Sequence, residues 1–116
     1  MYVVVETWTP KQAFLAADEE TRQALFAGIQ DAMKQLAAVD VVTLGWGRTD
    51  EAVQNGTEYQ WFAVWQAPSK ALVDGFLDGV DRSGWYTYFE QTNIVGELRS
   101  ADAVMAEHLT LRVVER

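Results

Sequence analysis

The chain contains no cysteine, and histidine occurs once, as His108. Zero cysteine excludes a disulfide framework, a thiolate zinc site and a cysteine nucleophile. Basic residues are also scarce. Nine Lys and Arg stand against 17 Asp and Glu, a net charge of −8. Phosphate backbones and anionic headgroups require clustered Lys and Arg, so neither nucleic acid nor a membrane surface is an expected partner. Long apolar runs are missing as well. The stretch Tyr2-Val3-Val4-Val5 lacks a basic lead-in and ends at Glu6. A signal peptide needs an apolar core of about 7–15 residues and a membrane helix about 20. A cytoplasmic location is the resulting expectation.

What remains is enough for one domain spanning residues 1–116, with 49% hydrophobic and 22% charged residues. A chain of this length buries roughly two-thirds of its unfolded surface and folds without staples. Five Trp, four Tyr and five Phe are many for this length, so their placement carries most of the information.

Tyr2 to Trp8 is rich in β-branched and aromatic residues and predicts a strand. Thr9-Pro10-Lys11-Gln12 reads as a brief helix start, with Thr9 capping, Pro10 at the first helical position and Gln12 closing a capping box. Asp18-Glu19-Glu20 marks a second start, with acids on the positive helix end. Leu25, Ile29, Ala32, Met33 and Leu36 then recur at helical spacing up to about Ala38. Asp40 to Arg48 returns to strand character, with Gly45 and Gly47 marking a bulge or close approach. A polar loop with the turn signal Asn55-Gly56 leads to the aromatic strand Glu58 to Gln66. Ser69 caps a second helix that Gly84 stops. An aromatic turn, Trp85 to Phe89, precedes a fourth strand at about Glu90 to Leu98, and Ser100 caps a final helix through His108.

The order β-α-β-β-α-β plus a terminal helix predicts an α+β, ferredoxin-like sandwich: one antiparallel sheet with helices on one face. The first and third strands then lie in its centre. Alternate strand residues point to opposite sides. The compact Val3, Val5, Phe62 and Val64, with Ile94 and Leu98, are assigned to the helix-covered side. Glu6, Trp8, Tyr59, Trp61, Ala63, Trp65, Gln91, Asn93, Val95 and Glu97 are assigned to the uncovered one. So much exposed Trp invites association, and a subunit or a ligand must cover it. A bulge at Gly45 or Gly47 leaves the facing of Trp46 and Arg48 open.

Gly45-Trp46-Gly47-Arg48, the Tyr59 to Trp65 strand, and Gly84 to Gln91 with Asn93 resemble an uncharacterised bacterial family of the dimeric α+β barrel superfamily. The resemblance spans nearly the whole chain. It implies a homodimer packed sheet against sheet, with a pocket in each subunit. It implies no activity. Better-known branches include cofactor-independent monooxygenases, lactone isomerases and haem-dependent enzymes, and their catalytic residues do not map onto this sequence.

Metal binding has no His-x-His, His-Glu-x-x-His or Cys pair to rest on, and helix-start acids account for Asp18-Glu19-Glu20. No metal, haem or other cofactor is expected. His108 borders the last helix as a surface residue, contacts a pocket, or ligates; the ability of a histidine side chain to change charge near neutral pH keeps the second reading open. No Gly-x-Ser-x-Gly elbow or phosphate loop is present. Glu6, poorly solvated if its face is covered, suits acid–base work, and Arg48 either pairs with it or holds an anionic group. An interface salt bridge is the plainer account of both. Asn93 and Gln91 either donate to an oxyanion or bond across the dimer.

The candidate pocket is therefore Glu6, Arg48, Tyr59, Trp61, Tyr86, Asn93 and His108, between the uncovered face and the Trp85–Phe89 segment. Glu6, Asn93 and His108 are the candidates for chemistry. Three functions fit: a cofactor-independent monooxygenase or isomerase acting on a small aromatic or polyketide-like compound, a non-catalytic small-molecule binder, and a structural dimer.

Overall fold

The computed structural model describes residues 1–114. Four strands, β1 (Tyr2–Pro10), β2 (Val42–Arg48), β3 (Trp61–Ala67) and β4 (Phe89–Glu97), form one sheet in the order β2-β3-β1-β4. All three pairings are antiparallel. Helices α1 (Gln12–Leu15) and α2 (Glu19–Ala37) join β1 to β2, while α3 (Lys70–Arg82) and α4 (Trp85–Tyr88) join β3 to β4. Helix α5 (Ala101–His108) follows the sheet. This is the expected ferredoxin-like topology, with the first and third strands central.

Local chemistry sets the helix starts. Asp18 accepts the Thr21 amide at 2.8 Å, Ser69 that of Leu72 at 3.2 Å and Ser100 that of Ala103 at 3.1 Å. Each bond satisfies an amide that the helix itself cannot. Gly84 takes φ 86° after α3, a left-handed conformation that glycine adopts without strain. Thr9 and Pro10 depart from expectation. They extend β1, and α1 begins after Lys11 with no side-chain cap, because pairing with Glu90 and Phe89 holds both residues in the sheet.

The sheet faces are the main correction. The grouping of residues by side holds, since Glu6 lies opposite Ala63 and Asn93, and Val5 opposite Val64 and Ile94. The helices cover the other side from the one expected. Val4, Trp8, Ala63, Trp65 and Ala67 are buried with Val73 and Phe76 of α3, whereas Ile94 is 70% exposed. The cause lies on the helices. Ala24, Gly28 and Ala32 of α2 and Gly75 and Gly79 of α3 face the gap above the sheet. Small residues there leave room that only Trp-sized side chains fill, while the β-branched residues suit the pleated open face.

Strand β2 also settles its own ambiguity. The register shifts between Thr43 and Gly45, so Leu44 is the extra residue. Trp46 and Arg48 consequently pair with Ala63 and Trp61 on the helix side. Gly47 falls on the open side, where a Cβ would lie 2.9 Å from Phe62 Cε1.

Candidate functional site

Glu6 is the buried charged residue of the core, 5% exposed in the middle of a central strand. Two donors hold it. Trp65 Nε1 donates to Oε1 at 2.7 Å from β3, and Gln91 Nε2 donates to Oε2 at 2.8 Å from β4. Trp85 Nε1 donates to Gln91 Oε1 at 2.7 Å, which fixes the orientation of that amide. Gln91 Nε2 therefore faces both Glu6 and Asn93 Oδ1, the latter at 2.8 Å.

Burial raises the Glu6 pKa above its ordinary value of 4.5, and the bonds from Gln91 and Trp65 oppose that rise without cancelling it. Burial also raises the Tyr86 pKa; the neighbouring Asn93 side chain works against this, and the charges of Glu6 and Asp81 add to it.

The carboxyl forms part of the wall of a 590 Å³ cavity between the sheet, α2 and α3. Trp46, Trp65, Phe76 and Trp85 supply aromatic walls, Leu25 and Ile29 an aliphatic roof, and Ser83 a further hydroxyl. A second cavity of 610 Å³ lies beside it, bounded by Trp8, Phe14, Phe26, Trp61 and Phe89. Both are apolar spaces of ordinary ligand-site size, about 300–1,000 Å³.

The seven residues expected at one pocket separate into groups. Glu6 lines the first cavity, with Asn93 connected to it through Gln91, and Tyr86 lies near enough to feel the Glu6 charge. Trp61 lines the second cavity. Arg48 lies 5.3 Å over the Trp61 ring and pairs with Glu51 at 3.3 Å, so it does not reach Glu6. Tyr59 precedes β3 instead of sitting on it, and its carbonyl accepts the Thr49 hydroxyl at 2.7 Å. His108 is exposed on α5 with Nδ1 2.8 Å from the Val104 carbonyl, a bond within its own helix. The site also lies on the helix-covered face, not the uncovered one. That follows from the facing of β1 and β3.

Trp65, Trp85 and Gln91 were not among the seven pocket residues expected from the sequence, although Gln91 was read there as a possible oxyanion donor. Gln91 and Trp8 occupy one register position across β1 and β4, and Trp65 lies one strand over from Val4. The signal available was the same-side grouping of Glu6, Trp65 and Gln91. No group of three or more His, Cys, Asp or Glu able to hold a metal occurs among the described residues. None of the described helices is long and apolar enough to cross a membrane.

The fold is similar to that of At3g17210 from Arabidopsis thaliana, with a TM-score of 0.61 and 15% identity over 87% of this chain and 98% of that one. At that identity the likeness shows the fold alone. TftG, the 5-chloro-2-hydroxyhydroquinone dehydrochlorinase of Burkholderia phenoliruptrix AC1100, scores 0.49 with 18% identity over 89% and 98% of the two chains. HapK from Hahella chejuensis scores 0.42 with 13% identity over 87% and 95%. No curated protein matches the sequence. Residues 1–111 match a family of unknown function (DUF6616), and the chain belongs to that family.

Proposed function

We propose that this protein binds a small aromatic or enolisable compound against Glu6 and transfers a proton on it without a cofactor. One observation carries the reading: a carboxyl 5% exposed, with a raised pKa, lining a mostly apolar 590 Å³ cavity. A carboxyl in such a place takes or gives a proton nearer neutral pH than a solvated one. Isomerisation is the reaction that the site balances unaided. The carboxylate removes a proton from a carbon that lies between a carbonyl and a C=C bond, and the electron pair moves to the carbonyl oxygen to give a dienolate. The same proton then returns from Glu6 to the far alkene carbon as the carbonyl re-forms and the double bond shifts into conjugation with it. Oxygenation would start from the same enolate and would need dioxygen as co-reactant.

A second reading has its own support. Both Glu6 oxygens already accept protein N–H donors, as in a structural polar network, which favours a binder that performs no chemistry. Deuterium exchange separates the two. The wild-type protein in D2O should speed α-proton exchange of an enolisable benzylic ketone such as 2-tetralone, followed by proton NMR, and Glu6→Gln should abolish the effect. Ligand binding with exchange equal to the buffer rate supports the binder. An oxygen electrode reports the oxygenase variant.

For the assembly we propose a homodimer through the open sheet face. The basis differs from the sequence argument, because Trp8, Trp61 and Trp65 point toward the helices. The open face carries instead the half-buried Val3, Val5, Phe62 and Val64 beside Ile94, which is 70% exposed. A two-fold axis buries such a patch against its own copy.

A further inference from the structure

Helix α2 contributes no buried residue, although it runs for 19 residues above the sheet. Its inner side chains instead border the two cavities. Ile29, Met33, Trp46 and Trp85 line both, so the two spaces adjoin along these side chains. Trp46 meets Trp8 edge-on at 5.3 Å, and Trp65 and Trp85 at 6.3 Å each. It stands between Gly45 and Gly47 on an edge strand and is itself 41% exposed. The compartments differ in chemistry. The first has Glu6, Gln35 and Ser83 as its polar members, while the second is bounded mainly by aromatic rings, with Gln30 and Thr43 as its polar members.

We infer that the two cavities are halves of one binding site for a flat ligand of at least two rings, its hydroxyl or enol end at Glu6 and its distal ring among Phe14, Phe26 and Trp61. The polar end of this assignment rests on the proposed role of Glu6; the aromatic half rests on the second cavity alone. Rings suit that half because edge-on and offset contacts with Trp and Phe add to what area burial supplies. A one-ring ligand fills only the first compartment and leaves the aromatic one in water.

Phenol and 4-phenylphenol are the probes, with binding to the intact protein followed by calorimetry. The second ring should tighten binding at least tenfold. In Phe26→Asp, which places a charge against the distal ring, that gain should fall to threefold or less. Glu6→Gln should weaken both probes by the same factor and leave the gain intact. Phe26 is only half-buried and far-UV circular dichroism checks the fold of its variant. An NMR measurement needs no variant: distal-ring protons of 4-phenylphenol should show NOEs to the Phe14 and Phe26 rings. Absence of those NOEs, survival of the gain in folded Phe26→Asp, or no 4-phenylphenol binding up to its solubility overturns the bipartite site. If Glu6→Gln leaves both affinities unchanged while Phe26→Asp still removes the gain, the aromatic compartment stands and the reading of Glu6 falls.

Discussion

Glu6→Gln exchanges a buried acceptor for an amide of nearly the same shape, and its effect on stability should depend on pH in a specified direction. Below the ordinary carboxyl pKa both side chains are neutral, so only hydrogen bonding differs. Trp65 and Gln91 each present an N–H to this position, and the new amide can accept only one of them. Turning Gln91 over to compensate would oppose an NH2 group to Trp85 Nε1, which now donates to Gln91 Oε1. One buried donor is left unmet whichever way the amides turn. That costs about 1–3 kcal/mol. Burial raises the folded pKa of Glu6 above 4.5, so the folded state holds this proton more tightly than the unfolded state. Stability from that proton is full below the unfolded value and is lost as pH rises through the folded one. Across that window wild type should lose ground to the variant by about 1.36 kcal/mol per pH unit. The variant's deficit should therefore be largest near pH 4 and shrink toward pH 8. Urea unfolding of both proteins at half-unit steps measures it, and the difference cancels every other titrating group. A deficit that stays constant with pH would refute the raised pKa, and one that grows with pH would mean that it is lowered.

Gln91→Leu should destabilise the fold by about 1–3 kcal/mol, because Trp85 Nε1 loses its acceptor, and it should move the pH dependence at Glu6 upward. Urea melts and the pH profile of exchange check the two halves separately. Gly47→Ala should cost about 1–3 kcal/mol through overlap with Phe62, and Phe62→Leu in the same chain should recover part of it in thermal melts. Ile94→Lys on the open sheet face should convert a dimer to a monomer by light scattering, with the circular dichroism spectrum unchanged. His108→Ala should change stability by no more than about 0.5 kcal/mol and leave probe binding as it was, since that ring is exposed and bonds only within α5.

Element order was legible in the sequence because its signals are local. Asp18, Ser69 and Ser100 cap as their positions predict, and Gly84 follows α3 in the left-handed conformation that favours glycine. Thr9-Pro10 shows where local signals stop. The pair has helix-start chemistry, yet partners on β4 hold it in the sheet, and no feature within four residues announces them. Bulge placement was half legible. Gly45 and Gly47 marked the region, but the extra residue proved to be Leu44, which only the pairing with β3 could reveal.

Strand periodicity explains both the success and the failure at the site. A period of two sorts residues into two sets without naming the inner one, so Glu6, Trp65 and Asn93 fell together correctly while their side was reversed. The rule that compact apolar residues lie inside and mixed aromatic–polar residues outside assumes that the helices pack close. Here Gly28, Gly75 and Gly79 line the interlayer space, and the Trp side chains reach up into it. Those glycines were visible in the sequence, spaced along the inner faces of their helices. Read as space above the sheet, they would have placed Trp65 inside, and Glu6 with it. The same reversal explains why a carboxyl with a perturbed pKa sits there at all. Rings as large as those of Trp65 and Trp85 leave cavities when they fill a wide gap, and their N–H groups need acceptors in it. Trp65 finds its acceptor in Glu6 directly, and Trp85 finds its own in Gln91, which in turn holds Glu6. The packing that shapes the cavity thereby also fixes the acid in its wall.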